Sequence, residues 1–380
     1  MEHILIIGAT GQIGSELTME LRKRYGNANV VAGYIPGAEP KGELKESGPS
    51  AIADVTDGEA ITSVVKEYHI DTIYNLAALL SVVAESKPKL AWKIGIDGLW
   101  NVLEVAREQG CAVFTPSSIG SFGASTPHTK TPQDTIQRPR TMYGVTKVTT
   151  ELLSDYYFNK YGVDTRAVRF PGIISNVTPP GGGTTDYAVD IYYSAVKGEK
   201  FVCPIKQGTL MDMMYMPDAL NAAITLMEAE SERLIHRNAF NIASMSFDPE
   251  TIYQAIKKHV PQFEMIYDID PLKQRIADSW PDSLDAWKAG NPIRSTKFDG
   301  GYVEAGYLIM GNRYTYNDEY GLLDGMNEKN SLEIVARYSI VNLNDINKGD
   351  FFLIGKHVFY PAPPKGFIYA ERQQSIHAYF

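Results

Sequence analysis

The chain of 380 residues is poor in cysteine, with only Cys111 and Cys203, and has seven histidines. Two isolated cysteines supply neither a disulfide framework nor a metal-ligand spacing, which fits a reducing compartment. Cys111 stands in the apolar run CAVFTP and reads as a core thiol. The histidines form no H-x-x-x-H or H-E-x-x-H pattern, so no metal is expected. No apolar run approaches the roughly 18 residues of a membrane helix. The first such run, ILII, leads straight into glycines rather than a secretory cleavage site. A cytoplasmic protein without a membrane partner is expected. The formal net charge is −9 and there is no block of Lys and Arg, so nucleic acid is not an expected partner either.

What is present is a βα alternation. Over residues 1–170, HILIIG, NVVAGY, DTIYNLAA, AVFTPSS and VDTRAVRFPGII read as strands. QIGSELTMELRKRYG, EAITSVVKEYH, PKLAWKIGIDGLWNVLEVAREQG and MYGVTKVTTELLSDYYFNKYG read as helices; Ile13, Leu17 and Leu21 share one face of the first. Such alternation predicts an α/β fold of βαβ units on a parallel sheet. Ligands of such sheets bind beyond the carboxyl ends of the strands. From 171 to 288 a Gly/Pro-rich loop leads to helices near 187–197, 217–230 and 249–259, which reads as a smaller substrate lobe. Residues 289–380 hold nine of the 23 tyrosines, and in SLEIVARYSIV the apolar positions alternate, so this part reads as a β-rich tail.

Gly8, Gly11 and Gly14 in IIGATGQIG lie between the first strand and the first helix, the context of a dinucleotide-binding turn. Glycine there permits close approach of a pyrophosphate to backbone N–H groups at the helix N-terminus. The second strand ends in Gly33 and Tyr34, with no carboxylate for a ribose and no arginine for a 2′-phosphate, which leaves NAD and NADP both open. Two roles fit Asp54: contact with the adenine, or the cap of the next helix. Tyr143 and Lys147 are four residues apart, on one helix face. An ammonium near a phenol lowers its pKa, so the pair reads as a tuned proton acceptor. Ser118, in FTPSSIGSFG, ends a strand on the same ligand edge.

Together, the glycine turn and the Ser118–Tyr143–Lys147 set resemble the signature of the extended, epimerase-like short-chain dehydrogenase/reductases. NLAALLS, YGVTK, RFPGIIS, PGGGTTDYAVDIYY, MMYMPDALNAAI and ADSWPDSLD narrow the resemblance to the L-threonine 3-dehydrogenases of that branch, from residue 1 to about 286. The resemblance implies a Rossmann doubly wound parallel sheet and NAD as cofactor. It implies oxidation of a small amino-acid substrate, L-threonine, at Cβ. Tyr143 would be the base, Lys147 would lower its pKa and bind the nicotinamide ribose, and Ser118 would hold the reacting oxygen. Gly8, Gly11, Gln12, Ile13, Gly14, Asp54, Val55, Leu76, Ala77 and Pro171 would line the cofactor. Ser81, Thr184 and Thr185 would hold the amino acid's polar end, and Trp280 would close the pocket. A homodimer built on helices 88–108 and 143–160 is also implied. A nucleotide-sugar 4-epimerase on the same scaffold and an inactive NAD-binding chimera remain alternatives.

The sequence departs from that pattern in three places. Tyr34 stands at the acid position, SVVAES replaces a more polar loop after Ser81, and the family's closing segment is missing beyond Ala286. The tail in its place resembles a short fragment of a porin-type β-barrel.

Overall fold

A computed structural model describes residues 1–234 and 237–285, and beyond them the backbone of strand segments 298–310, 315–317, 322–324, 332–343, 352–353 and 358–359. The chain divides into two compact units, Met1–Ile293 and Arg294–Phe380. In the second, Phe298–Met310 pairs antiparallel with Leu332–Leu343, which covers the alternating SLEIVARYSIV run. The rest of 289–380, and with it most of the expected β-rich tail, lies outside the described residues.

The first unit opens with β1 (Ile4–Ile7), α1 (Gln12–Tyr25), β2 (Val30–Tyr34), α2 (Gly42–Glu46), β3 (Ser50–Ile52), α3 (Gly58–Glu67) and β4 (Thr72–Asn75). Then come α4 (Ser81–Ser86), α5 (Pro88–Trp92), α6 (Gly98–Gln109), β5 (Ala112–Phe114), β6 (Ser117–Ser118), α7 (Met142–Tyr161) and β7 (Thr165–Arg166). One parallel sheet has the order β3-β2-β1-β4-β5-β7. Strand order reverses between β1 and β4, and a ligand crevice opens at such a switch point. The first residues past those two strands are Gly8 and Leu76. Leu5, Ile7, Val31 and Ile73 from the sheet pack with Ile61, Leu99, Val102 and Leu103 from α3 and α6.

Two expected elements are broken. The helix expected over 88–109 is α5, a π-helical turn at Lys93–Asp97, and α6, ending at Gly110 with φ +77. The strand expected in VDTRAVRFPGII is β7, then β8 (Val168–Phe170), then β9 (Gly172–Ile174), each in a different sheet. β8 lies between β6 and β12 (Phe240–Asn241). After β10 (Phe201–Cys203) comes β11 (Met211–Tyr215), which pairs with β9. The chain thus leaves the main sheet after β7 and builds the smaller lobe. α8 (Tyr187–Lys197), α9 (Met216–Glu228) and α10 (Pro249–Lys257) match the helices expected there. A second core joins Ile119 and Phe122 to Tyr187, Met213 and Trp280. Among the described residues no helix is long and apolar enough to cross a membrane.

Candidate active site

Gly8 adopts φ +82, and a Cβ there would stand 3.3 Å from Leu76 C and Ala77 N. Gly8 and Ala9 donate their N–H groups to the Gly33 carbonyl at 3.2 and 3.0 Å, which closes the turn. At Gly14 a Cβ would fall 2.1 Å from the Gly8 oxygen, so α1 approaches the turn only because that position lacks a side chain. Gly11 is exposed and caps α1 without a side chain, and the first turn carries no acidic residue. The leading N–H groups of a helix have no intrahelical partners and attract anions. A bare turn, an open positive helix end and the switch-point crevice fit the pyrophosphate of a dinucleotide. Gln12 and Ser15 of α1 bond to Thr178, through Gln12 Nε2 to the Thr178 carbonyl (3.4 Å) and between hydroxyls (3.0 Å). The Gly/Pro-rich loop therefore lies against the cofactor end of α1, while Ile13 is half-buried beside it.

Asp54 does not cap a helix. Its Oδ1 accepts from Thr56 N (2.8 Å) and Thr56 Oγ1 (2.9 Å), a local turn, and the cap of α3 is Asp57, which accepts from Ala60 N at 3.0 Å. The next residue, Val55, is buried against α6; a Cβ at Gly98 would meet its side chain at 2.7 Å. Tyr34 ends β2 half-buried. Pro171, buried between β8 and β9, begins the crossing into the smaller lobe.

Thr141 starts α7 by accepting the Gly144 N–H at 3.0 Å, and Gly162 stops it with φ +72. Tyr143 and Lys147 therefore lie on its first two turns, facing β6. The Ser118 hydroxyl stands beside Tyr143, and its Oγ accepts the Gly120 N–H at 3.1 Å. Lys147 is buried, with Nζ 2.7 Å from the Pro116 carbonyl and 5.5 Å from the centre of the Tyr143 ring. The electrostatics correct one expectation. Burial raises the Tyr143 pKa, and the nearby Ser118 hydroxyl only partly offsets it. Lys147 is itself pulled down to about 8 by burial, against the opposing effect of Glu151. Its ammonium sits beside the ring and bonds a carbonyl.

On the substrate side, Ser81 and Thr184 are buried and share a hydrogen bond of 2.9 Å. Thr185 packs on Gly172, where a Cβ would meet its methyl at 2.9 Å. Trp280 is buried, and its Nε1 has no hydrogen-bond partner among the described residues. α4, whose sequence departs from the expected pattern, reaches the start of α7: Glu85 Oε1 accepts the Met142 N–H at 2.5 Å.

Gly120 was not legible as a site residue. A Cβ on it would stand 2.9 Å from two Tyr143 ring carbons and 3.4 Å from Trp280 Nε1, so three parts of the chain converge there. A glycine two places after the strand-end serine is the available signal. Also unforeseen are Ser117, Glu151 and Arg169, buried behind the triad. Glu151 lies four residues past Lys147, so its place on the same helix stripe can be read from spacing.

The model of the NAD dependent epimerase/dehydratase family matches residues 4–243. An uncharacterized epimerase/dehydratase of Staphylococcus haemolyticus is 54% identical over 285 residues, 75% of this chain and 89% of that protein. The structure of L-threonine dehydrogenase from Clostridium difficile is 59% identical with a TM-score of 0.72, covering 75% of this chain and 89% of that one. A monomeric L-threonine 3-dehydrogenase from a metagenome is 38% identical with a TM-score of 0.71, covering 76% and 94%. The chain belongs to the NAD-dependent epimerase/dehydratase family of extended short-chain dehydrogenase/reductases, and is an NAD-dependent oxidoreductase acting on a CH–OH group.

Proposed function

We propose that the protein is an L-threonine 3-dehydrogenase that oxidises the β-hydroxyl of L-threonine to give 2-amino-3-oxobutyrate. The observation that carries this reading is the convergence of Tyr143 and Trp280 on Gly120, with Ser118 beside Tyr143. Small hydroxyl groups, Ser81, Thr184 and Thr185, supply the polar contacts for the amino acid. A nucleotide-sugar epimerase needs cationic and aromatic contacts to a bulky diphosphate; PGGGTTDY has no cation, and its one aromatic, Tyr187, is buried in the lobe core.

In this reading residues 1–170 form the dinucleotide part and 171–288 the substrate lobe. Bound NAD supplies the hydride acceptor. Gly8, Gly11, Gln12, Ile13 and Gly14 hold its pyrophosphate, with Asp54, Val55, Leu76, Ala77 and Pro171 along its length. Tyr143 takes the proton of the substrate hydroxyl, a role worth about 10²–10⁴ in rate for a positioned acid–base group. Ser118 holds the same oxygen, Lys147 holds the nicotinamide ribose, and Trp280 excludes water.

The proposal extends to a cytoplasmic homodimer. Trp92, Trp100, Leu152 and Tyr156 are large side chains left exposed on α5, α6 and α7, the helices of the expected interface. Light scattering tests this: a dimer mass is expected, and a monomer mass contradicts it. The function itself is tested by following NADH with L-threonine, L-serine and UDP-sugars as substrates. NADH formation with L-threonine is expected, and epimer formation from a UDP-sugar without it contradicts the reading.

A further inference from the structure

Behind the triad lies a buried ion pair that the proposed chemistry does not use. Arg169 grips Glu151 with Nε on Oε1 (2.9 Å) and Nη2 on Oε2 (2.8 Å), both side chains about 5% exposed. Every remaining polar atom of the pair is engaged. Glu151 Oε1 also accepts from Ser117 Oγ, and Oε2 from Gln137 Nε2 at 2.9 Å. Arg169 Nη1 donates to the Gln133 carbonyl (2.9 Å) and Asn241 Oδ1 (3.0 Å). Desolvating two charges is costly, and replacement of such a pair by apolar residues is often neutral or stabilising, so its presence calls for a reason other than stability.

The reason lies in what it touches. Tyr143, Lys147 and Glu151 fall at successive i, i+4 positions and form one stripe along α7. The short chain 116–118 runs beside that stripe and meets all three: Ser118 stands beside Tyr143, the Pro116 carbonyl accepts from Lys147, and Ser117 donates to Glu151. In the parallel pairing of β6 with β8, Ser117 is opposite Arg169 itself. β6 has only two residues, so backbone pairing alone constrains it weakly. Successive strand residues point to opposite faces, so fixing the Ser117 hydroxyl fixes the rotation that aims Ser118.

We propose that Glu151, clamped by Arg169 and Ser117, is a positioning residue that sets the register of β6 against α7 and so the Ser118–Tyr143 contact. Resting on the proposed dehydrogenase reading, it assigns Ser117 a role in kcat with no contact to substrate or cofactor. Small displacements of reacting groups cost up to about a hundredfold in rate.

Ser117→Ala is the test, because it leaves the Glu151–Arg169 pair intact. Wild type and variant are compared for kcat and KM with L-threonine, for NAD affinity by calorimetry, and for thermal midpoint. The expected result is a kcat lowered about tenfold or more, with KM and NAD affinity close to wild type, while the lost bond to a buried carboxylate lowers the midpoint. A variant with wild-type kcat overturns the proposal. So does one whose kcat and NAD affinity fall together, which makes Ser117 a structural prop only. If wild type itself makes no NADH from L-threonine, the dehydrogenase reading fails instead, and the two failures are distinct.

Discussion

Ser81 and Thr184, separated by 103 positions, meet through a 2.9 Å hydrogen bond between buried hydroxyls. That bond ties the start of α4 to the loop before α8, and both ends are proposed to face the amino acid. Thr184→Val keeps the shape and removes the hydroxyl. It leaves Ser81 without this partner, at a cost of about 1–3 kcal/mol. KM for L-threonine is expected to rise about tenfold or more while NAD affinity holds. Steady-state kinetics with unchanged KM would remove Thr184 from the substrate site.

Gly120 tolerates no side chain without moving its neighbours. In Gly120→Ala the new methyl would stand 2.9 Å from Tyr143 ring carbons, closer than carbon atoms pack. The ring must shift away from Ser118. A fall in kcat of about a hundredfold is predicted, with NAD binding retained. Full activity in the variant would show that the Tyr143 ring position is not critical.

Asp212 gives a pH dependence of stability. It lies buried on β11, its Oδ2 accepts the Leu284 N–H at 2.6 Å, and burial raises its pKa from 3.8 to about 7. Between those two values the folded protein keeps a proton that the unfolded chain has lost. Asp212 therefore contributes stability at the acid end of the window and loses it as pH rises through about 7. Asp212→Asn has no proton to release. The wild-type thermal midpoint is predicted to fall relative to this variant as pH rises across that window. A difference that does not change with pH contradicts the assignment.

Tyr34 occupies the position where a carboxylate can hold the adenosine ribose. A charge-assisted hydrogen bond contributes about 1.5–3 kcal/mol. Tyr34→Asp is predicted to tighten NAD binding about tenfold or more, read by calorimetry. No gain in affinity would place the ribose elsewhere.

Much of the fold is legible because it rests on local signals. Gly8, Gly11 and Gly14 mark the first turn, Thr141 and Gly162 bracket α7, and the apolar runs of β1, β2 and β4 announce a buried parallel sheet. The triad is legible by helical spacing plus a strand-end serine. What escapes has non-local causes. The split of VDTRAVRFPGII depends on which sheet captures each piece, and no residue in the run encodes that. Asp57 rather than Asp54 caps α3, a shift of three residues that spacing alone does not decide. The pKa of Tyr143 depends on burial, which raises it, and on the Ser118 hydroxyl, which lowers it. Gly120 matters because the Tyr143 ring and, 160 residues later, Trp280 fold onto it.

The central claim is that Tyr143, as the phenolate, removes the proton from the β-hydroxyl of L-threonine while NAD accepts the hydride. Its most direct test is the rate of NADH formation from L-threonine by wild type and by Tyr143→Phe, with NAD binding measured on both. The account predicts NADH from the wild type, a loss of about 10²–10⁴ in the variant, and equal NAD affinity. A variant that turns over L-threonine at the wild-type rate, or a wild type that binds NAD yet leaves L-threonine unoxidised, contradicts it.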